Sequence, residues 1–245
     1  MVITTTQYSK TFWLFNAAGL LAYALLLIQL FPVNGTLDHW FIDQWVDSTG
    51  HFFERDNWWL THIAHHGVKN VIIGLLVILL IQLIGSFYQT NWRHYRWPSG
   101  YVLISALCTT ILVGLLKSQS GHACPWSLVQ VQQQHLGWLD HLSKAGHCFP
   151  GGHASAGFAL IALFFAYHQT QPHKARCYLL AALLLGFAMG WGLMMRGAHF
   201  LSHNLWTLWV AWAVNLGLCA IIEVYVWYAQ HRQNLELIGQ AHLNH

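Results

Sequence analysis

Six long apolar stretches interrupt this chain: roughly Phe12–Phe31, Val71–Phe87, Tyr101–Leu116, Ala154–Tyr167, Tyr178–Met195 and Leu205–Tyr228. A helix needs about 20 apolar residues to cross the hydrocarbon core of a bilayer. The first stretch has that length, and most of the others reach it by drawing on flanking small residues and histidines. The fourth reaches it only by including the Gly151-Gly152-His153 stretch before it. The fold class expected is therefore all-α: a polytopic membrane protein with a six-helix transmembrane bundle. The first stretch is too long for the apolar region of a signal peptide and is read as a span. Only 8% of the 245 residues are charged, too few to clothe a soluble domain, where about 25% is usual. The length suits one helical domain over residues 1–245.

The distribution of charge gives an orientation. With six spans, Lys10, Arg93, Arg96, Lys174, Arg176 and Arg232 share a side with both termini. Arg55, Lys69, Lys117, Lys144 and Arg196 share the other side with the acids Asp38, Asp43, Asp47, Glu54, Asp56 and Asp140. We read both termini as cytoplasmic and the second side as facing the periplasm or exterior. The net charge of +3, with no basic run, argues against a nucleic-acid partner. The long loop from Pro32 to about Val68 carries Trp40, Trp45, Trp58 and Trp59. It is expected to lie at the interface as one or two amphipathic helices, either as an anchor or as a wall guiding a lipid.

Histidine is the anomaly: 18 of them outnumber the 11 Lys and Arg. Three clusters fall at one membrane face. Lys117 precedes Gly121-His122-Ala123-Cys124-Pro125-Trp126 at the end of the third stretch. Pro150-Gly151-Gly152-His153 opens the fourth. Arg196-Gly197-Ala198-His199 runs on to His203 between the fifth and sixth. Ionisable groups at membrane depth are costly, and default to function. Lys117 and Arg196 can neutralise an anion, Arg in a bidentate fork. Backbone N–H groups at Gly151 and Gly152, beside a helix start, can cradle oxyanions. Two histidines can divide the work of nucleophile and general acid near neutral pH. This chemistry requires no metal and no cofactor.

In these motifs the chain resembles the type 2 phosphatidic acid phosphatase superfamily. That family carries Lys, six residues, Arg-Pro; here Lys117 is followed by six residues and Cys124-Pro125. Its Pro-Ser-Gly-His reads Pro150-Gly151-Gly152-His153, and its His, three residues, Asp reads His199 to His203. The motif region covers about residues 116–205. Six-span members place these motifs on the outer ends of spans three to six. The resemblance implies that His199 attacks phosphorus and that His153 protonates the leaving oxygen and then activates water. Lys117 and Arg196 hold the phosphate with Gly151 and Gly152, and His203 orients His199. The implied substrate is a lipid phosphate monoester or pyrophosphate.

Four replacements separate the chain from the family pattern. Cys124 stands for an Arg, Gly151 for a Ser and His203 for an Asp. The third motif's Arg would fall at Leu193; Arg196 lies three residues on, about 60° around a helix and about 4.5 Å along it. Cys124 and Cys148 are the two outer-loop cysteines. An oxidising compartment would permit a disulfide worth about 3 kcal/mol in the chain-entropy model; the alternative is two separate thiols. Cys108, Cys177 and Cys219 are read as span or inner-loop residues without a chemical role.

Two other classes fit part of the pattern. His62-Ile63-Ala64-His65-His66, with His199 and His203, resembles the boxes of membrane di-iron oxidoreductases. The bland reading of His62, His65 and His66 is an interfacial helix face. The motif replacements also suit a non-catalytic lipid-phosphate binding protein, although binding alone has no use for both His153 and His199. Head-group choice falls to the loop Ser127–His147, with Gln130, Gln132, Gln133, Gln134 and Asp140.

Overall fold

The computed structural model describes residues 8–132, 135–140, 142 and 146–243, without the side chains of 64, 65 and 234–243. Gln133, Gln134, Lys144 and the side chain of His65, singled out above, lie outside the described residues.

The helix α1 (Lys10–Leu30) starts where the Ser9 hydroxyl accepts the Phe12 N–H at 3.1 Å, an N-cap. Its 21 residues rise about 30 Å, the thickness of a hydrocarbon core. The chain then forms α2 (Thr36–Ile42) and a 3-10 turn at Asp43–Trp45. A π-helical segment, Trp59–Gly67, runs without a break into α3 (Val68–Tyr88). The second half of the first outer loop is thus the start of a span, not a separate interfacial helix. It holds His62, stacked on Trp58 with ring centroids 5.1 Å apart. After another 3-10 turn, α4 (Arg96–Gln119) tolerates Pro98 because its first turn has no N–H partner to lose.

Next come α5 (Pro125–Leu128) and an antiparallel hairpin, β1 (Val129–Gln132) with β2 (His135–Trp138). The all-α expectation holds apart from this hairpin, which lies in the stretch read as the loop Ser127–His147. Then follow α6 (Gly152–Ala159), α7 (Ala162–Tyr167), α8 (Pro172–Met195) and α9 (Leu201–Leu243).

Among the described residues, five helical runs are long and apolar enough to cross a membrane: Lys10–Leu30, Trp59–Tyr88, Thr90–Gln119, Pro172–Met195 and Leu201–Gln233. The fourth apolar stretch differs. Gly152–Tyr167 has 16 residues and a tightened turn at Leu160–Ile161, so it rises only about 24 Å. It is the centre of the bundle, with α6 packed on α4, α8 and α9. Phe158, Ile161 and Ala162 are fully buried. Glycine permits the closest approach: a Cβ on Gly157 would stand 2.6 Å from the Gly186 Cα of α8. Small-residue contacts of this kind let helix backbones meet in lipid, where no hydrophobic force drives them together.

The outer surface is apolar. Phe15, Val71, Leu107, Leu184 and Val224 are all exposed. Polar groups lie inside instead. The Asn215 side-chain oxygen Oδ1 accepts from Ser105 Oγ at 2.8 Å and Tyr101 Oη at 3.1 Å. Glu223 of α9 accepts from Trp13 Nε1 of α1 at 2.8 Å. This inside-out distribution is that of a multi-pass membrane protein.

Candidate active site

Four chain segments converge at the end of the bundle where α4 stops and α6 and α9 start. The last turn of α4 brings Lys117. Cys124 is joined to Cys148 by a disulfide, with Cα atoms 5.2 Å apart, and Cys148 N–H donates to the His122 carbonyl at 3.0 Å. The chain then turns through Pro150 into α6, carrying His153 as its second residue. The turn after α8 delivers His199, and the first turn of α9 delivers His203.

His199 and His203 are both buried, and their Nδ1 atoms lie 3.3 Å apart. A single proton can occupy that gap. If His199 donates it, His199 Nε2 is left with a free lone pair, and His203 carries its proton on Nε2. His203 Nε2 has no hydrogen-bond partner among the described residues. Burial pushes the His199 pKa down to about 3; the nearby charges of Lys117 and His153 act in the same direction, and the Cys148 carbonyl opposes them. His199 is therefore neutral at physiological pH, and both Lys117 and His153 lie within electrostatic reach of it. No carboxylate pairs with Lys117 among the described residues. Its Nζ stands 3.5 Å from the point where a Cβ on Gly152 would lie, beside the N-terminus of α6. That N-terminus has no side-chain cap, and a helix N-terminus favours an anion.

Gly151 and Arg196 do not take the places expected of them. The Gly151 N–H donates to the His203 carbonyl at 3.1 Å, so it is already used within the protein. Thr207 Oγ1 donates to the carbonyls of both Gly151 and His203, tying this loop to α9. A Cβ at 151 would stand 2.6 Å from Asn204 Oδ1, which accounts for glycine where the family pattern has serine. The Arg196 Nε donates to the Arg55 carbonyl at 2.9 Å, against the first outer loop. Lys117 and His153 are the charges that lower the His199 pKa alongside burial.

Two neighbours escaped the motif reading. Asp38 of α2 is 1% exposed and accepts from Ser202 N at 2.8 Å, Ser202 Oγ at 2.5 Å and Asn34 N at 2.9 Å. It caps α9 from 164 residues away and so fixes the helix start that carries His203. Burial raises its pKa to about 6, against the opposing hydrogen bonds from Ser202 and Asn34. Phe149 packs its ring 5.1 Å from His122 and 5.4 Å from His203. Neither has a local signature; only the folded chain brings them to the site.

Among the described residues, no three His, Cys, Asp or Glu side chains are placed to hold one metal ion. A large cavity of about 1230 Å³ lies at the other end of the bundle, lined by Tyr8, Arg96, Phe165 and Glu223. It shares no residue with the histidine cluster.

The family model of the PAP2 superfamily matches residues 97–230, more than half of the chain. The chain belongs to the PAP2 superfamily. No curated protein and no solved structure gives a significant match. The PAP2 match spans α4 to most of α9 and contains all the motif positions named above, whereas α1 to α3 and the first outer loop lie outside it. Membership of the PAP2 superfamily points to phosphatase-type chemistry on lipids, in keeping with a chain built of membrane-length apolar helices.

Proposed function

We propose that this PAP2 protein removes phosphate from a lipid phosphate monoester or lipid pyrophosphate at the outer leaflet, through a phosphohistidine at His199. The observation that carries this reading is the buried, neutral His199, paired with His203 at 3.3 Å and faced by Lys117 and His153. His199 Nε2 attacks phosphorus, the bond from phosphorus to the leaving oxygen breaks, and His153 gives that oxygen a proton. His153 then takes a proton from water as the water oxygen displaces the P–N bond, releasing inorganic phosphate. Lys117 and the N-terminus of α6 stabilise the charge on the transferring group. His203 accepts from His199 Nδ1 and keeps the attacking lone pair on the other nitrogen. No step uses a metal ion or a cofactor.

The protein would sit in a bacterial inner membrane, crossing it six times if Gly152–Tyr167 counts as the short sixth segment. Both termini would be cytoplasmic and the site periplasmic. Undecaprenyl pyrophosphate, the phosphates of lipid A, phosphatidylglycerol phosphate and phosphatidic acid are the candidate substrates. An alcohol in place of water would make the same intermediate a phosphotransfer donor. The committed Gly151 N–H and the displaced Arg196 favour, as second reading, a lipid-phosphate binding protein without turnover.

Phosphate release by purified protein from these lipids, in the presence of a chelator, separates the two. Wild type is expected to release phosphate and His199→Ala none. His153→Ala is expected to lose about 10²–10⁴-fold. Release unaffected by His199→Ala would end the phosphohistidine reading.

A further inference from the structure

Arg55 stands at the rim of the histidine site, on a loop outside the family match. Its guanidinium lies over the Trp126 ring, 5.0 Å from the centroid. Its carbonyl holds Arg196 through the 2.9 Å bond from Nε. The Trp126 N–H in turn donates to the Gly197 carbonyl at 2.9 Å. Three segments thus meet at one corner: the first outer loop, the stretch after Cys124, and the turn that leads to His199. Phe52 pins the loop there, buried among Ala123, Met194 and Phe200.

The corner is cationic. Among the described residues neither Arg55 nor Arg196 is paired with a carboxylate. Glu54 accepts from Asn57 Nδ2 at 2.5 Å, and Asp56 pairs with neither arginine. With Nε engaged, Arg196 keeps its two terminal nitrogens for an anion. Arg55 uses one face of its planar guanidinium against the Trp126 ring and keeps its donor edge. Arg196 is three residues from His199, at most about 11 Å of chain. The site therefore has two cationic stations. The inner one is Lys117 with the N-terminus of α6; the outer one is Arg55 with Arg196. A lone phosphate fills one of them, whereas a diphosphate has an anionic group for each.

We propose that Arg55 and Arg196 bind the lipid-proximal phosphate of a lipid diphosphate while Lys117 and α6 hold the terminal phosphate that His199 attacks. The inference rests on the phosphatase reading above and names its substrate class. The bridging P–O bond breaks as the N–P bond forms. The bridging oxygen takes its proton from His153 and departs with the lipid monophosphate, whose charge the two arginines stabilise. Cys124 lies two residues from Trp126, so the outer loop supplies a guanidinium close to where the first motif has none.

The test compares farnesyl diphosphate with farnesyl monophosphate, one lipid chain with two heads, on wild type, Arg55→Ala and Arg55→Lys. Wild type is expected to prefer the diphosphate in kcat/KM. Arg55→Ala should lower the diphosphate-to-monophosphate ratio tenfold or more, mainly through KM for the diphosphate, and Arg55→Lys should recover part of it. An equal loss on both substrates, or an unchanged ratio, overturns the proposal. Thermal-shift titration of His199→Ala with inorganic pyrophosphate and with inorganic phosphate separates this failure from that of the phosphatase reading. If wild type releases no phosphate from either lipid, the phosphatase reading fails. The outer station then stands if adding Arg55→Ala weakens pyrophosphate binding fivefold or more relative to phosphate, and falls if it does not.

Discussion

Two buried ionisable residues respond to acid in opposite directions. Asp38 has a folded-state pKa of about 6, above the unfolded value near 3.9. Its contribution to stability is therefore full below about pH 4 and lost as pH rises through 6. His199, depressed to about 3, costs stability as pH falls from 6.5, where the unfolded chain takes up a proton that the folded site refuses. Asp38→Asn removes the first effect and leaves the second. Melting temperatures of wild type and Asp38→Asn, taken from pH 4.5 to 7.5, should diverge to the disadvantage of wild type as pH rises. Parallel curves would show that Asp38 does not titrate in that window. His203→Ala belongs to the same scale. It deprives His199 Nδ1 of its acceptor, and phosphate release should fall by about 100-fold in kcat with little change in KM.

Between elements, the closest contacts are made by residues with the least side chain. Gly157→Val would drive a branched side chain into the Gly186 backbone of α8, in the layer that supports His153. A loss of stability of about 1–3 kcal/mol is expected, read as a lower melting temperature in detergent. Retention of the wild-type melting point would mean that α6 and α8 are further apart than described. The disulfide works on the same scale, because it ties the segment after Lys117 to the segment before His153. Cys124→Ser with Cys148→Ser should cost about 2–4 kcal/mol and broaden the pH and substrate dependence of release together. Full stability in the double variant, measured beside dithiothreitol-treated wild type, would show that the bridge is idle.

At the scale of the whole molecule, the apolar stretches were legible because lipid imposes one requirement on all of them. A span must satisfy its own backbone and present apolar side chains, and a run of such residues carries both conditions locally. The family spacing of His199 and His203 was legible as well, although only His203 lies on α9 and His199 stands in the turn before it, so the fold of that turn, not a shared helix face, brings the two rings together. The hairpin Val129–Trp138 was not, because four-residue strands with Gln at alternate positions leave too short a pattern to separate from a loop. The contact of Asp38 with Ser202 and the turn of Arg196 toward Arg55 span 164 and 141 residues. They depend on where the first outer loop lands, which no local pattern encodes. Orientation is tested at this scale too. In a background lacking Cys108, Cys177 and Cys219, Ser48→Cys should react with an impermeant maleimide in intact spheroplasts. Thr170→Cys should react only after permeabilisation; the reverse order would invert the proposed topology.

The brevity of the central helix sets the depth of the chemistry. A rise of about 24 Å falls short of an apolar slab of about 30 Å, so at least one end of Gly152–Tyr167 stops below the plane of the head groups. If that end is the N-terminal one, the phosphate of the proposed reaction lies sunk toward the acyl chains, and its ester reaches the histidines sideways from the leaflet. Water-soluble esters lack an anchor to hold them at that level, and water itself becomes a dilute reagent there. On the proposed mechanism the phosphorylated histidine would then be contested between scarce water and whatever hydroxyl-bearing lipid drifts alongside.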